Sequence, residues 1–313
     1  MRERITNLVA VLALPALGPA VAPYCASWHW TIDLLACFPV QALGWLLVAG
    51  AILLAARRWR LAAFLLGGAG LAATSILPVW CRAGAAPHEG GAPLRLLGVN
   101  LLRGNELQMA EALDAVRGAA PDVIFCAEVT PAWLEGLGPG LPDFPHRYLH
   151  ADPGYYGVAL FSRLPLREVA LVPLGVPWAP AIRAIVDTRA GPIGLLGVHT
   201  PRPGSAERNE NRDRALAAIG PALASLPEAR VVLGDFNATP WNPAFRAMLA
   251  DAALADASAG AASTTWPAVL PWPLRIPIDH VLTSANVGRE AVAVGADFGS
   301  DHLPLLAELR LHR

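Results

Sequence analysis

Hydrophobic positions in the first 80 residues form three long stretches, at 5–26, 34–56 and 61–80, which polar residues hardly interrupt. Each stretch has about the 20 apolar residues that a helix needs to cross a bilayer core. Four charged residues lie between positions 5 and 80: Asp33, Arg57, Arg58 and Arg60. Such low charge in three successive stretches favours membrane helices over the buried core helices of a soluble protein, so three transmembrane spans are predicted.

Beyond position 93 the pattern changes to short apolar runs bounded by Gly, Pro or Asp, which is typical of buried strands. These runs are residues 94–99, 123–126, 158–161, 182–186, 193–198, 231–233, 278–282 and 303–309. Helical patterns lie between them at 106–117, 206–224 and 242–250. Many strands with a few intervening helices predict two packed sheets that carry helices on their outer faces.

Arginines flank the apolar stretches unevenly. Arg2 and Arg4 precede the first stretch, and the turn at 57–60 between the second and third holds three more arginines. The positive-inside rule places both segments in the cytoplasm, so three spans put the C-terminal domain on the periplasmic side of the inner membrane. Alternatively, the first stretch is a cleaved signal peptide. The C-terminal domain would then still lie on the same side of the membrane. We therefore expect a multi-pass membrane protein with an extracytoplasmic domain.

Composition supports this division of the chain. Charged residues make up only 16% of the sequence, against about a quarter in ordinary soluble domains. All 24 basic residues are arginine, and residues 81–313 carry 23 acids against 19 arginines, a net charge of −4. This acidic balance disfavours a protein that holds long nucleic acid, without excluding one. The predicted organisation is a membrane anchor at 1–81, a Gly-, Ala- and Pro-rich linker at 82–93, and one domain at 94–313.

The four cysteines are too few and too irregular for a disulfide scaffold or a zinc ribbon. Cys25, Cys37 and Cys81 lie near the outer ends of the predicted spans, in a compartment where disulfides persist. Their spacing favours no particular pair. Cys126 lies in an apolar strand-like run and is expected to be a small core residue.

Polar residues cluster where the predicted strands stop. They are Asn100, Glu128, His199, Asp235, Asn237, Asp279, Ser300, Asp301 and His302. Any one of them is explained by a turn that it caps. Together they predict one face of a sandwich lined with metal ligands and acid–base groups. His280 directly follows Asp279, so it points to the opposite face of its strand and is expected to be structural.

Six short motifs contain these residues: GVN at 98–100, CAE at 126–128, VHTP at 198–201, GDFN at 234–237, PIDHV at 277–281 and GSDH at 299–302. Their order resembles the endonuclease/exonuclease/phosphatase superfamily, of a deoxyribonuclease-like or neutral sphingomyelinase-like, membrane-anchored bacterial type. The resemblance implies an α/β fold, a four-layer α/β sandwich of two mostly antiparallel sheets flanked by helices, here preceded by three transmembrane helices. It also implies phosphoester cleavage that depends on Mg²⁺ or Mn²⁺.

The resemblance further implies a metal-binding side of the site. Glu128 is similar to the main Mg²⁺ ligand of the family, a hard oxygen donor for a hard cation. Asn100 lies beside it in the ligand shell, and Asp301 resembles the second metal-side carboxylate. One or two metal ions both remain possible.

On the catalytic side, His302 resembles the histidine that contacts the scissile phosphate and transfers protons, and Asp279 the carboxylate that orients it. Asp235 is similar to the residue that orients the attacking water. Asn237 resembles the donor to the phosphoryl oxygens, and His199 a further phosphate contact. Asp235 and His302 both remain candidates for the general base.

The sequence therefore predicts a membrane-anchored phosphoesterase that hydrolyses a phosphodiester by in-line attack of water, with a phospholipid or other envelope phosphodiester as substrate. The alternatives are a Mg²⁺-dependent DNA endonuclease or exonuclease and a catalytically silent phosphate-binding module. The expected partners are the lipid bilayer and the substrate, with no obligate protein partner. The loop at 263–276, which contains Trp266 and Trp272, either rests on lipid head groups or packs over its own domain.

Overall fold

The structure is a computed structural model that describes residues 2–81, 93–260 and 263–311. Residues 2–81 form a bundle of apolar helices, called the N-terminal bundle below, and the later residues form a domain of two sheets. The predicted linker at 82–93 lies outside the described residues, apart from its last position.

The N-terminal bundle contains α1 (Arg2–Ala13), α2 (Leu17–Cys25), α3 (Trp30–Leu35), α4 (Pro39–Ala55) and α5 (Trp59–Trp80). A 3₁₀ turn at Leu14–Ala16 joins α1 to α2. Pro15 lies in this turn, and because it has no N–H to donate, a regular α-helical ladder cannot continue through it. The helical segment nevertheless remains continuous over Glu3–Trp28.

Two of the three predicted spans are confirmed as helices long and apolar enough to cross a membrane. They are Glu3–Trp28 and Trp59–Trp80, and only 22% and 28% of their most apolar windows are buried within the protein. The middle helix α4 has 17 residues, about 25 Å at 1.5 Å per residue, which is shorter than a hydrocarbon core of about 30 Å. The prediction of three full spans is therefore confirmed for two helices of spanning length and not for the third, which is a shorter apolar helix.

The first sheet has the strand order β11-β12-β1-β2-β4-β3. Its strands are β1 (Leu94–Asn100), β2 (Val123–Ala127), β3 (His146–His150), β4 (Val158–Ser162), β11 (Val287–Val294) and β12 (Leu305–Leu311). The second sheet has the order β5-β6-β7-β8-β10-β9. Its strands are β5 (Leu166–Pro173), β6 (Pro180–Thr188), β7 (Gly191–His199), β8 (Arg230–Asp235), β9 (Ala255–Asp256) and β10 (Asp279–Thr283).

Both sheets are mixed, and their pairings are antiparallel except for β1–β2 and β7–β8. The helices of the domain are α6 (Met109–Ala119), α7 (Pro131–Gly140), α8 (Ala206–Ala217), α9 (Ile219–Leu223) and α10 (Pro243–Asp251). Alternate strand residues face opposite layers: Leu96 packs between the sheets, whereas Leu97 packs with the cluster that includes Trp133 of α7. On the other side, Val232 packs with Phe245 of α10. The layers are thus helix, sheet, sheet and helix, as the resemblance implied.

The two sheets approach closely around one aromatic ring. Phe125 of β2 lies over Gly197 and Gly234 of the facing sheet, and a Cβ on Gly197 would lie 2.1 Å from the Phe125 ring. Gly234 also has a φ of +135°, which a residue with a side chain rarely adopts. These glycines allow the Phe125 ring to fill the middle of the sandwich just below the ends of β7 and β8.

All eight predicted strands are present, but several elements were not predicted. The four missed strands are β3, β5, β9 and β11. All four lie at the edges of the two sheets. Their polar and apolar residues are therefore mixed and do not form a continuous apolar run. Helix α7 begins at Pro131, after the N-cap Thr130. It contains three glycines and a second proline, which are unfavourable in helices, so its sequence does not predict a helix.

The topology brings catalytic-type residues to one end of the sandwich. We call this end the carboxyl edge, because the parallel strands β1, β2, β7 and β8 all finish there. Since β10 runs antiparallel to β8, it starts at this edge, with Asp279 opposite Asp235. The loop before β12 carries Ser300 back to the same place, where its hydroxyl donates to the Asn100 carbonyl over 2.8 Å.

The N-terminal bundle packs directly on the domain. Asp33 of α3 is buried and accepts hydrogen bonds from Arg212 (2.7 Å), Asn209 (3.1 Å) and Asn242 (2.7 Å). The Trp241 indole is buried and donates to the Ser75 carbonyl of α5. The two parts of the chain therefore share a buried polar interface.

Candidate active site

Strand pairing places three of the predicted residues side by side. Asp235 ends β8, and its register partners are Asp279 on β10 and His199 on β7. All three side chains are buried. The His199 Nε2 lies 3.6 Å from Asp235 Oδ2. The Asp235 carboxylate is thus the centre of a buried polar group at the carboxyl edge.

His302 is held by Asp279. Its Nδ1 lies 2.8 Å from Asp279 Oδ2, and its Nε2 lies 3.7 Å from Asp235 Oδ2. The Thr265 hydroxyl donates to the same Asp279 oxygen and fixes the carboxylate. Burial alone would lower the pKa of His302, but the Asp279 and Asp235 carboxylates outweigh it and raise this pKa to about 10. The imidazole is therefore a cation at neutral pH, with its Nε2 side directed to Asp235.

Asn100 connects the two sheets. The Asn100 side chain donates to Glu128 Oε1 and to Asp235 Oδ2, both over 3.2 Å. Its own amide oxygen accepts the Leu102 N–H. Asn100 therefore lies between the predicted metal ligand and the predicted water-orienting carboxylate, and it fixes the position of both.

Two residues of the site have a left-handed backbone. Glu128 has a φ of +57° and Asn237 a φ of +46°, an unusual conformation for residues other than glycine that is often found at functional sites. Glu128 Oε2 accepts the Arg103 N–H over 2.8 Å. Asn237 donates from its backbone to Asp235 Oδ1 and from its side chain to Asp235 Oδ2. These bonds hold both side chains toward the space between the sheets.

Asp301 has a partly satisfied carboxylate. Its Oδ2 accepts the Trp266 indole N–H over 3.2 Å. Its Oδ1 is buried and has no hydrogen-bond partner among the described residues. A buried carboxylate oxygen without a donor is costly unless a cation or a ligand donor satisfies it. This oxygen therefore suits a cation.

His199 has a different environment from His302. Its ring lies 5.3 Å from the Tyr156 ring, centroid to centroid, and its Nδ1 is buried with no partner among the described residues. Burial lowers the pKa of His199, and the nearby Asp235 only partly opposes this. The imidazole is therefore neutral at pH 7. It can donate a hydrogen bond to a phosphoryl oxygen without adding charge.

Burial also affects Asp235 itself. It raises the pKa of this carboxyl above the usual range for aspartate, while the neighbouring His302 and His199 oppose the rise. A carboxylate with a raised pKa accepts a proton from water more readily than an exposed aspartate does.

The donor set fits a divalent metal. Asp235, Asp279 and His302 have ligand atoms within 4.8 Å of one another and form a candidate metal site within the described part of the chain. Glu128 and Asp301 add further carboxylate oxygens, and each has lone pairs left after its hydrogen bonds. Carboxylate oxygens are the ligands that Mg²⁺ and Mn²⁺ prefer.

The structure brings seven of the eight predicted site residues into one contact network. These are Asn100, Glu128, His199, Asp235, Asn237, Asp279 and His302. Asp301 precedes His302, and its charge helps to raise the pKa of His302. As predicted, His280 is outside the network: it is buried and pairs with Asp256 over 2.9 Å.

Sequence reasoning missed four contributors to the site. Thr265 and Trp266 bind Asp279 and Asp301 from a loop, Tyr156 packs on His199, and the Thr200 carbonyl accepts from Asn237. Thr200 lies inside the VHTP motif, and Thr265 and Trp266 lie in the 263–276 loop, which was expected to rest on lipid or to pack over its own domain. Tyr156 had no such signal. Arg212 is buried against Asp33, away from the site.

The buried acid–histidine group, the metal-type ligands and the four-layer sandwich define a metal-dependent hydrolase of the phosphodiesterase type. The profile of the Endonuclease/Exonuclease/phosphatase family matches residues 98–302, and the chain belongs to this family. No protein of curated function matches the chain.

Solved structures of similar fold cover about 70% of the chain. An endonuclease/exonuclease/phosphatase from Bacteroides vulgatus is 19% identical, with a TM-score of 0.60 over 71% of this chain and 100% of its own. D. rerio TDP2 complexed with single-strand DNA product is 19% identical, with a TM-score of 0.57 over 70% and 99%. Sphingomyelinase C from Streptomyces griseocarneus is 20% identical, with a TM-score of 0.53 over 69% and 99%. These likenesses concern the fold, which serves both DNA- and lipid-related proteins.

Proposed function

We propose that this protein is a membrane-anchored, Mg²⁺- or Mn²⁺-dependent phosphodiesterase that acts on a phospholipid or another envelope phosphodiester. The proposal rests on the buried contacts of His302, whose imidazole pairs with Asp279 on one side and lies next to Asp235 on the other. It places an imidazolium and a carboxylate 3.7 Å apart, so that a proton donor and a proton acceptor face the same part of the site.

Glu128 and Asp301 would hold the metal ion, with Asn100 in the surrounding shell. Within the described part of the chain, Asp301 Oδ1 is a buried acceptor without a donor, whereas Asp279 Oδ2 already accepts from His302 and Thr265. A cation near His302 would also meet an imidazolium of the same sign. When bound, the metal supplies positive charge to the non-bridging phosphate oxygens.

Asp235 would act as the general base and His302 as the charged donor. The pKa of Asp235 is raised by burial, so its carboxylate takes a proton from the attacking water. The pKa of His302 is raised to about 10, so its imidazolium carries a positive charge and a proton that it can donate to a phosphoryl oxygen. This division of roles assigns the base, which the sequence left open between the two residues.

Asn237 and His199 would bind the phosphoryl oxygens. Asn237 is positioned by the Asp235 carboxylate and the Thr200 carbonyl. His199 is neutral, and its Nδ1 lacks a protein partner among the described residues. Donors held in place before the reaction stabilise the negative charge that builds in the transition state.

The apolar helices support the membrane part of the proposal. Two of them have spanning length, and the arginine turn at 57–60 favours an inner-membrane protein with a periplasmic domain. The acidic domain also favours a small or lipid phosphodiester over a long nucleic acid.

The test uses the full-length protein in nanodiscs of phosphatidylethanolamine, phosphatidylglycerol and sphingomyelin. Lipid turnover and nicking of supercoiled plasmid are measured with Mg²⁺, Mn²⁺ or EDTA. His302→Ala is the catalytic variant, and His146→Ala, on the edge strand β3, is its matched control. We expect metal-dependent lipid turnover that His302→Ala loses and His146→Ala keeps. Plasmid nicking alone would replace the lipid substrate by DNA, and silence on both substrates would favour the phosphate-binding module.

A further inference from the structure

The N-terminal bundle packs on the same end of the domain that carries the active site. Trp241 and Asn242, which contact α5 and α3, follow β8 by only a few residues. Gln41 of α4 donates to the carbonyls of Pro273 and Arg275, both over 3.1 Å, in the loop that leads into β10. Because β8 ends and β10 begins at the carboxyl edge, all these contacts lie at that edge.

The contacts also lie at one end of the bundle. Gln41 is in the first turn of α4, and Ser75 is in the last two turns of α5. The turn between these helices, at 56–58, is at their other ends. A bilayer that surrounds the bundle would therefore end just below the carboxyl edge.

Exposed apolar side chains of the domain concentrate at the same edge. Of the eight large hydrophobic residues that are exposed in the described part of the domain, seven lie in carboxyl-edge loops. Leu107 follows β1, Tyr155 precedes β4, and Trp178 precedes β6. The other four are Val269, Leu270, Trp272 and Leu274, in the loop before β10. We call these seven residues the apolar rim.

Two aliphatic side chains of the rim are almost fully exposed to solvent. Leu107 is 95% exposed and Val269 is 87% exposed. Soluble proteins scatter such residues singly, whereas a group of them at one end marks a membrane or protein interaction site. The nearby bundle, whose helices present apolar side chains outward, makes the bilayer the continuous apolar phase beside this rim.

The rim is attached to the catalytic residues. In the 267–274 loop, the Ala268 N–H donates to the Asp301 carbonyl over 2.8 Å. On the other wall, Trp178 packs on Tyr156 with ring centroids 4.7 Å apart, and Tyr156 packs on His199. A bilayer in contact with the rim would therefore also lie next to the phosphate-binding side of the site.

A cation, Arg103, lies beside the rim. The Arg103 guanidinium lies 5.1 Å from the Tyr155 ring centroid, and the Arg103 backbone binds the Glu128 carboxylate. Aromatic rings with arginine are favoured at the head-group level of a bilayer, where one side is apolar and the other is anionic.

We propose that the apolar rim is a bilayer-docking surface, which directs the active site toward the outer face of the membrane that holds the bundle. The substrate is then a phosphodiester in the head group of a lipid of that membrane. This inference rests on the proposed membrane anchoring and adds to it the orientation of the site. A lipid substrate then enters the active site directly from the bilayer and does not pass through water.

The test places an environment-sensitive NBD dye at position 269 of the full-length protein, with Cys25, Cys37 and Cys81 replaced by alanine. The control dye is at position 189, an exposed residue in the β6–β7 turn. This turn is at the opposite end of β7 from His199, about 30 Å away at roughly 3.3 Å per residue. Both proteins are reconstituted in phosphatidylethanolamine–phosphatidylglycerol nanodiscs with and without doxyl-labelled phosphatidylcholine.

We expect doxyl lipid to quench the dye at position 269 and to leave the dye at position 189 unaffected. An unquenched dye at both positions would overturn the proposal, and so would equal quenching at both, because the domain would then lie on the membrane in another orientation. Quenching does not require turnover, so the result holds whether or not the phosphodiesterase activity is found.

A second measurement links the rim to catalysis. The Val269→Asp variant is compared with Arg189→Asp for turnover of bilayer lipid and of a monomeric short-chain analogue. The ratio of bilayer to monomer turnover is expected to fall about tenfold or more for Val269→Asp, since a charge replaces an apolar contact with lipid. The ratio is expected to stay unchanged for Arg189→Asp. An equal ratio in both variants would contradict a docking role of the rim.

Discussion

Arg212 and Asp33 form a buried ion pair, with Arg212 Nη2 2.7 Å from Asp33 Oδ2, across the interface between the domain and the N-terminal bundle. Their exposed fractions are 1% and 4%. Asn209 and Asn242 donate to the same carboxylate, so its charge is compensated by three neighbours. A buried pair of this kind is stable only while both partners are present. The bundle and the domain are therefore expected to fold as one unit.

Replacing Asp33 by alanine should destabilise the whole protein. The change leaves two asparagine amides without their acceptor and leaves the buried Arg212 paired with Asp213 alone, which is expected to cost about 3 kcal/mol. Thermal unfolding of the full-length protein in detergent measures the loss. The control is Glu210→Ala on the same helix, where an exposed pair with Arg214 contributes only about 0.5 kcal/mol. Equal effects of the two changes would show that the interface does not hold the bundle to the domain.

The predicted residues meet at one edge of the sandwich because most of them follow or begin a strand. Asn100, Glu128, His199 and Asp235 end β1, β2, β7 and β8, and parallel pairing brings such ends together. The local sequence is therefore enough to predict where these residues lie, since the polar residues coincide with the ends of the apolar strands. The edge strands were not predicted, because their residues are half exposed and mixed in polarity.

Contacts between distant segments were not predictable in the same way. Thr265 is 14 residues from Asp279, and Trp266 is 35 residues from Asp301, with no pattern to relate them. Asp33 appeared to be an isolated charge beside a span, and its partner Arg212 is 179 residues away. Such pairs follow from how the bundle packs on the domain, which the pattern of a single segment does not contain.

Gly197→Ala should destabilise the sandwich. The new Cβ would lie 2.1 Å from the Phe125 ring, and overpacking a dense core costs about 1–3 kcal/mol or more. Adding Phe125→Leu should restore part of the loss, because the two positions are in contact. The matched control is Gly118→Ala in α6, where a Cβ meets nothing within 4 Å. There alanine should stabilise the helix by about 0.5–1 kcal/mol. Unfolding midpoints that shift in the same direction for both variants would contradict this account.

The stability of the metal-free protein should fall as the pH rises above neutrality, and Asp279 should control part of that fall. The pKa of His302 rises from 6.5 to about 10 on folding. Its contribution is therefore fully present below pH 6.5 and is lost as the pH approaches 10. Asp279→Asn removes the nearest carboxylate and should flatten this dependence. Thermal unfolding in EDTA between pH 6 and 10 measures it.

Asp187→Asn is the control for this pH dependence. Asp187 pairs with Arg167 at the surface, and the arginine lowers the pKa of its carboxyl. Its titration therefore lies far below the window in which His302 loses its proton. The pH dependence of this variant should match that of the unchanged protein. If Asp279→Asn also matches it, the Asp279 carboxylate does not hold the proton on His302.

Glu128→Gln should abolish the stabilisation of the protein by Mg²⁺. An ion at 100 times its Kd adds about 2.7 kcal/mol to the free energy of unfolding, or about 5 °C in Tm for a domain of this size. We expect this shift in the unchanged protein and in His302→Ala, and we expect its loss in Glu128→Gln and Asp301→Asn. The reason is that Asp301 Oδ1 has no donor among the described residues, whereas His302 is an imidazolium that donates from Nδ1 to Asp279 and has no lone pair for a metal ion. The opposite pattern, with the shift lost in His302→Ala and kept in Glu128→Gln, would move the ion to Asp235, Asp279 and His302, whose ligand atoms lie within 4.8 Å of one another.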